Sequence, residues 1–158
     1  MALLRFLMVL SLGVWLGSIL FFGAVLAPTV FSVLPTRALA GSVVSRSLSS
    51  LHVIGMVCGA LFLLSSVIYA RIGGRMAEVF ATRNLLVLVM LLVTLYAQYG
   101  IGAKMNRMRV EMGEIDRVAP ADPRRVEFNR LHIWSTRLEG TVLILGLAAL
   151  FLTSRKLP

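Results

Sequence analysis

This chain of 158 residues has little acid, one cysteine and few charges of any kind. Charged residues make up 15%, against roughly 25% for an ordinary soluble domain, which argues against a water-facing surface all round. The single cysteine, Cys58, excludes an intrachain disulfide. Seven Asp and Glu face sixteen Lys and Arg, a formal charge of +9. In a soluble protein that balance points to nucleic acid. Here no aromatic-interleaved basic patch and no zinc finger accompanies it, so nucleic acid is not an expected partner. The motifs of soluble catalysis are missing too: no GxSxG, HExxH, CxxC, phosphate-binding loop or dinucleotide glycine fingerprint. The expectation is a protein that is not an enzyme.

What the chain has instead is long apolar runs. Hydrophobic residues reach 58%. Four stretches, at about 6–27, 51–70, 85–100 and 131–152, approach the ~20 residues that cross a hydrocarbon core as helix. They run continuously rather than alternating, so strands are excluded. The reading is an all-α polytopic membrane protein: a single domain over 1–158, with four spans in two antiparallel hairpins. Its lipid partner follows from the basic residues flanking the runs, which suit anionic headgroups. Arg5 with the run ending at Val25-Leu26-Ala27 also has the outline of a signal peptide. That run exceeds the usual 7–15 apolar residues, so an uncleaved first span is the better reading.

The connections are expected to differ. Pro28 ends or kinks the first span, and Gly73-Gly74 stops the second. Residues 35–50 suit a short interfacial helix. The polar loop 102–130 starts as a one-turn extension of span three, breaks at 119–122 and re-enters helix with Pro123 at the first position. Two GxxxG patterns, Gly13/Gly17 and Gly55/Gly59, permit close helix approach and leave a homo-oligomer or a membrane-protein partner open. Trp15 is expected to pack mid-span; Tyr99 and Trp134 fit an interfacial belt.

The chemistry concentrates at one depth. Glu139 and Arg137 lie inside the last span, where a charge costs ~2.5–3.5 kcal/mol on insertion scales. His132, Ser135, Thr136 and Glu139 share one helix face at i, i+3, i+4, i+7 spacing. Glu139 lies about 10 Å deeper than His132. Arg137 points away and is a poor partner for Glu139. Spans two and four run in parallel, so His52 and His132 come to one side. Gln98 and Tyr99, and the end of span one at Pro28 and Thr29, reach it as well. The expectation is a polar layer drawn from all four helices, with Glu139 bonded to Gln98, Thr94, a histidine or a basic group. Three roles stay open for it: transport or ion handling, a scaffold or accessory role, and a redox or metal site. In the last, His52 and His132 would bind haem, or His52 and Met56 would offer a soft pair to copper. The matched triplets Leu51-His52-Val53 and Leu131-His132-Ile133 also hint at a duplicated hairpin.

Several motifs are familiar. Trp15-Leu16-Gly17-Ser18 through Phe21-Phe22, then Ala27-Pro28-Thr29-Val30-Phe31 and Ala40-Gly41, resemble the start of the domain of unknown function 4149, small four-helix membrane proteins similar to transmembrane protein 205. Glu127-Phe128-Asn129-Arg130-Leu131-His132, with Ser135 and Leu138, looks like the approach to that family's last span. The resemblance implies an integral membrane protein, expected in a bacterial inner membrane, and carries over no catalytic residue. The matching positions are Trp15, Gly17, Pro28, Phe31, Gly41, His132 and Ser135. A looser likeness to copper-resistance membrane domains rests on paired spans with histidines, without a metal-rich loop here.

Overall fold

A computed structural model describes residues 1–113 and 117–155. Residues 114–116 of the polar loop and the tail 156–158 lie outside it. Four helices long and apolar enough to cross a membrane form the fold: α1 (Ala2–Val33), α2 (Arg37–Ile72), α3 (Thr82–Met112) and α4 (Pro123–Arg155). Each packs on its chain neighbour, and α4 closes the ring against α1. α1 and α3 therefore stand on one diagonal, α2 and α4 on the other. The expected all-α bundle of two hairpins is the architecture found.

The helices are longer than the apolar runs. α1 continues past Pro28 to Val33, so the proline does not end it. Proline cannot bond back to the previous turn; a π-helical turn at Phe22–Leu26 precedes it and takes up the irregularity. Residues 37–50 are not a separate interfacial helix. They are the first turns of α2, started by Thr36, whose hydroxyl accepts from the Leu39 amide at 3.2 Å. Span three is extended by much more than one turn, through a second π-helical turn at Tyr96–Gly102 to Met112. Ends that are polar on one side are not apolar runs, yet they remain good helix.

The stops are as expected. Gly73 ends α2, and Gly74 takes φ +64, a conformation that suits glycine. Pro123 opens α4. Asp122 caps it, accepting from the Arg124 amide at 2.8 Å. The Arg124 guanidinium, at 2.9 Å, holds the Asp122 carboxyl below its ordinary pKa. A lowered carboxyl pKa favours the fold above the ordinary value, and that contribution fades as pH falls through the lowered one.

The main core joins Met8, Leu12, Trp15 and Ile19 of α1 to Phe62, Met90, Val142 and their neighbours. A smaller cluster, Ile101, Met105 and Phe128, holds α3 to α4 beyond it. Trp15 is 1% exposed and lies flat against the glycines of α2. A Cβ on Gly55 would collide with its indole; one on Gly59 would fall 2.6 Å from Leu91 and 2.9 Å from Trp15. The α2 GxxxG is thus an internal seam. At Gly13 and Gly17 a Cβ would meet nothing within 4 Å. Leucine at Gly55 or Gly59 is expected to cost about 1–3 kcal/mol through overpacking. Alanine at Gly13 or Gly17 should stay within about 0.5 kcal/mol. Unfolding in detergent micelles checks both; equal losses at the two motifs would contradict the seam.

Candidate functional site: a cross-bundle polar chain on a large cavity

Glu139 is the midpoint of α4, sixteen residues from Pro123 and from Arg155. No helix end or water-facing loop can serve it there. Its partner is His52, on the diagonal helix α2: His52 Nε2 lies 2.5 Å from Glu139 Oε1. The other ring nitrogen, Nδ1, lies 2.7 Å from Gln98 Oε1 on α3. Gln98 Nε2 in turn donates to Ser49 Oγ at 2.6 Å, one helical turn before His52. A single chain, Ser49–Gln98–His52–Glu139, thereby links three helices. His52 is buried, while Glu139 keeps 16% of its side chain exposed.

The donor roles follow from the acceptors. With the Gln98 amide so oriented, its carbonyl oxygen can only accept, so His52 Nδ1 carries a hydrogen. The bond to Glu139 then has two forms. Either an imidazolium donates to a carboxylate, or a carboxylic acid donates to a neutral Nε2. Both forms hold the same number of protons and leave the pair electrically neutral. A proton can pass between the two groups without changing the net charge of the layer. A neutral unit is also what a low-dielectric interior tolerates best.

The chain borders a cavity of about 1090 Å3, at the top of the roughly 300–1,000 Å3 range of ligand clefts. His52, Gln98, Ser49 and Glu139 all line it, as do His132 and Ser135. Both π-helical turns border it, through Phe22 and Gly23 on one side and Ala97 to Tyr99 on the other. Such turns often sit at functional sites, because the extra residue redirects side chains that a regular helix would turn elsewhere. Arg37, Arg109 and Arg125 reach the cavity from the ends of α2, α3 and α4.

Each expected site residue now has a place. Glu139, His52, Gln98, His132 and Ser135 share one cavity. The two histidines are not equivalent, however: His52 is buried and bonded at both nitrogens, whereas the His132 ring is exposed and outside the bond chain. The duplicated-hairpin echo does not extend to their surroundings. Gln98 serves His52 rather than Glu139, and Thr94 is buried away from the pair. The hydrogen-bonded layer comes from three helices, not four; α1 contributes an apolar wall, and Thr29 is not among the cavity-lining residues. Met56 does not line the cavity either. Both nitrogens of His52 are engaged, so a bis-histidine haem or a His52–Met56 copper pair would require a bond to be broken. Among the described residues no group of three or more His, Cys, Asp or Glu is placed to hold a metal.

Of the family-motif positions, Phe31 and Gly41 line the cavity, Pro28 follows the first π-helical turn, Trp15 is core, and Gly17 faces outward. Arg137 stacks on the Trp134 ring at 5.6 Å, pointing away from Glu139. Ser49 and the three cavity arginines were not anticipated. Ser49 lies in a serine-rich stretch where nothing local marks it. The arginines looked like ordinary flanking charge.

Fold and site together define a multi-pass membrane protein, a four-helix bundle with a histidine–carboxylate pair lining a large cavity. Residues 10–114 match the family described as Domain of unknown function (DUF4149). That is more than half of the chain, and the protein belongs to this family. The match takes in Ser49, His52 and Gln98 and ends before α4, so Glu139, His132 and Ser135 lie outside it. No curated protein and no solved structure matches the chain.

The bond across the diagonal should be energetically coupled. A double-mutant cycle with His52→Ala and Glu139→Ala, read by unfolding in detergent, is expected to give at least ~1 kcal/mol. That exceeds the ~0.6 kcal/mol average of interhelical hydrogen bonds in membranes. Simple additivity would mean the two side chains act separately.

Proposed function

We propose that this is a small non-catalytic membrane protein that handles a proton or ion, with the His52–Glu139 pair as the exchanging group. One observation carries the reading: the cavity of about 1090 Å3 extends to Glu139. A carboxyl group held in a dry, closed pocket would speak for packing alone. At the floor of an open cavity it exchanges with whatever fills that space, and intramembrane carboxylate–histidine chains are a common form of proton relay. The reading needs no cofactor, since the proton is held by side chains of the chain itself. A bacterial inner membrane is the proposed location. The kinship to transmembrane protein 205-like proteins is part of the same proposal, supported by the motif spacing around Trp15, Pro28 and Gly41.

A scaffold role is the second reading. It is favoured by the Gly13/Gly17 face, which no helix of the bundle covers. Co-purification of a partner in mild detergent would support it.

Flux decides the first reading. Purified protein in proteoliposomes with an internal pH dye is expected to carry a pH-dependent proton or ion flux. Glu139→Gln should abolish or flatten its pH dependence, since glutamine keeps the size but not the exchangeable proton. Gln98→Ala, which removes only the support of His52, should reduce it less. Absence of flux from the intact protein would end the transport reading.

A further inference from the structure

The cavity has two chemically distinct ends. Its walls are largely apolar: Leu20, Phe22 and Phe31 of α1, Leu48 of α2 and Leu143 of α4. Its outer end carries Arg37, Arg109 and Arg125 from three different helices. Three other cations of these helices have partners: Lys104 and Arg130 share Glu127, and Arg124 holds Asp122. Among the described residues none of the three cavity arginines forms an ion pair. Arg109 has one hydrogen bond, to Asn106 at 3.4 Å, and lies over the Phe128 ring at 5.6 Å. Arg125 has one, to the Val118 carbonyl. A guanidinium has five N–H donors, so most remain unused. Gly41 lies beside this end, where a Cβ would be in ordinary contact with the Arg109 guanidinium at 3.6 Å. Among the described residues the only cavity carboxyl, Glu139, is taken by His52.

A membrane-depth cavity with greasy walls and an unpaired cationic rim suits one kind of occupant. We infer that the cavity binds an anionic bilayer lipid, headgroup on Arg37, Arg109 and Arg125 and chain along the α1 wall toward the His52–Glu139 floor. Arginine suits this task because its planar fork meets a phosphate with two parallel hydrogen bonds. The rim sits at helix ends, beyond the apolar runs, and basic pockets between helices recognise acidic lipids. Exposed Leu20 and Phe31 leave the α1 side in contact with the surrounding chains, which gives a lipid an entry from the bilayer. The inference deepens the proposed function by naming the molecule class at the same cavity. It rests on the cavity and not on proton movement, so binding without flux would sink only the transport reading.

The test is native mass spectrometry of the intact protein in non-ionic detergent, with equimolar phosphatidylglycerol and phosphatidylcholine added. One retained phosphatidylglycerol is expected, preferred roughly tenfold over phosphatidylcholine. Arg37→Gln/Arg109→Gln/Arg125→Gln should remove the preference. Gly140→Phe supplies a second variant that tests the cavity without touching the rim. Gly140 lines the cavity with nothing within 4 Å of an added Cβ, so the ring fills space rather than disturbing packing, and binding should fall about tenfold. Arg137→Gln, outside the cavity, should bind as the unmodified protein does. Equal retention of the two lipids would overturn the inference. So would undiminished binding by Gly140→Phe, or displacement of the lipid by millimolar inorganic phosphate, which would make a free anion the ligand.

Discussion

A carboxyl group at the centre of a membrane helix has no helix end to turn to, and leaving it charged and alone costs several kcal/mol. Glu139 meets that constraint by reaching across the bundle to His52 on the diagonal helix. The consequences spread outward. His52 must then satisfy its second nitrogen, which brings in Gln98 of α3, and the Gln98 amide brings in Ser49. Three helices are fixed in rotation and height by one chain of bonds. Apolar contacts in lipid do not specify a unique register, because a hydrocarbon tail packs against leucine nearly as well as another leucine does. The polar chain supplies that specificity, and the Trp15 seam against Gly55 and Gly59 supplies it for α1, the helix the chain omits.

The cavity follows from the same arrangement. Two helices carry π-helical turns, Phe22–Leu26 and Tyr96–Gly102, and both border it. Without the second, Gln98 would belong to a regular helix face and its approach to His52 would change. Towards the chain termini the bundle is filled instead. Arg5 donates to the Tyr69 hydroxyl, Ser66 to Asn84, and Arg83 to Glu78, all around the ends of the main core. The molecule is therefore asymmetric along the membrane normal: closed by packed and bonded groups at one end, open at the other.

The legible part of this was the part that depends on composition. Continuous apolar runs of this length point to membrane helices, and the spacing of His132, Ser135 and Glu139 places them on one helix face. Helix length was less legible. Residues 37–50 and 101–112 are helical without being apolar, because backbone bonding continues whether or not the side chains are greasy. The choice between two histidines was not legible at all. Leu51-His52-Val53 and Leu131-His132-Ile133 look alike locally, and only the diagonal geometry makes the first a buried partner and the second an exposed ring. The arginines of the rim were hidden for a different reason: their role depends on which carboxylates are already taken, and pairing such as Glu127 with Lys104 is a three-dimensional fact.

A large cavity also constrains how anything could cross. Alternating access requires a second state in which the closed end opens while the open end shuts. The packed end holds a buried guanidinium, Arg83, whose Nε has no hydrogen-bond partner among the described residues, although its Nη2 donates to Glu78. An unpartnered buried donor is costly, and it lies at the point that would have to part. The same residue would be hydrated if the end opened, so the cost is present only when closed. Under the proposed ion-handling role that asymmetry would narrow the free-energy gap between the two states from the closed side. A neutral His52–Glu139 pair would lower the barrier from the middle, because no net charge need be desolvated as the cavity narrows around it. A bundle sealed only by leucine at that end would lack the first of these, and one with an unpaired Glu139 would lack the second.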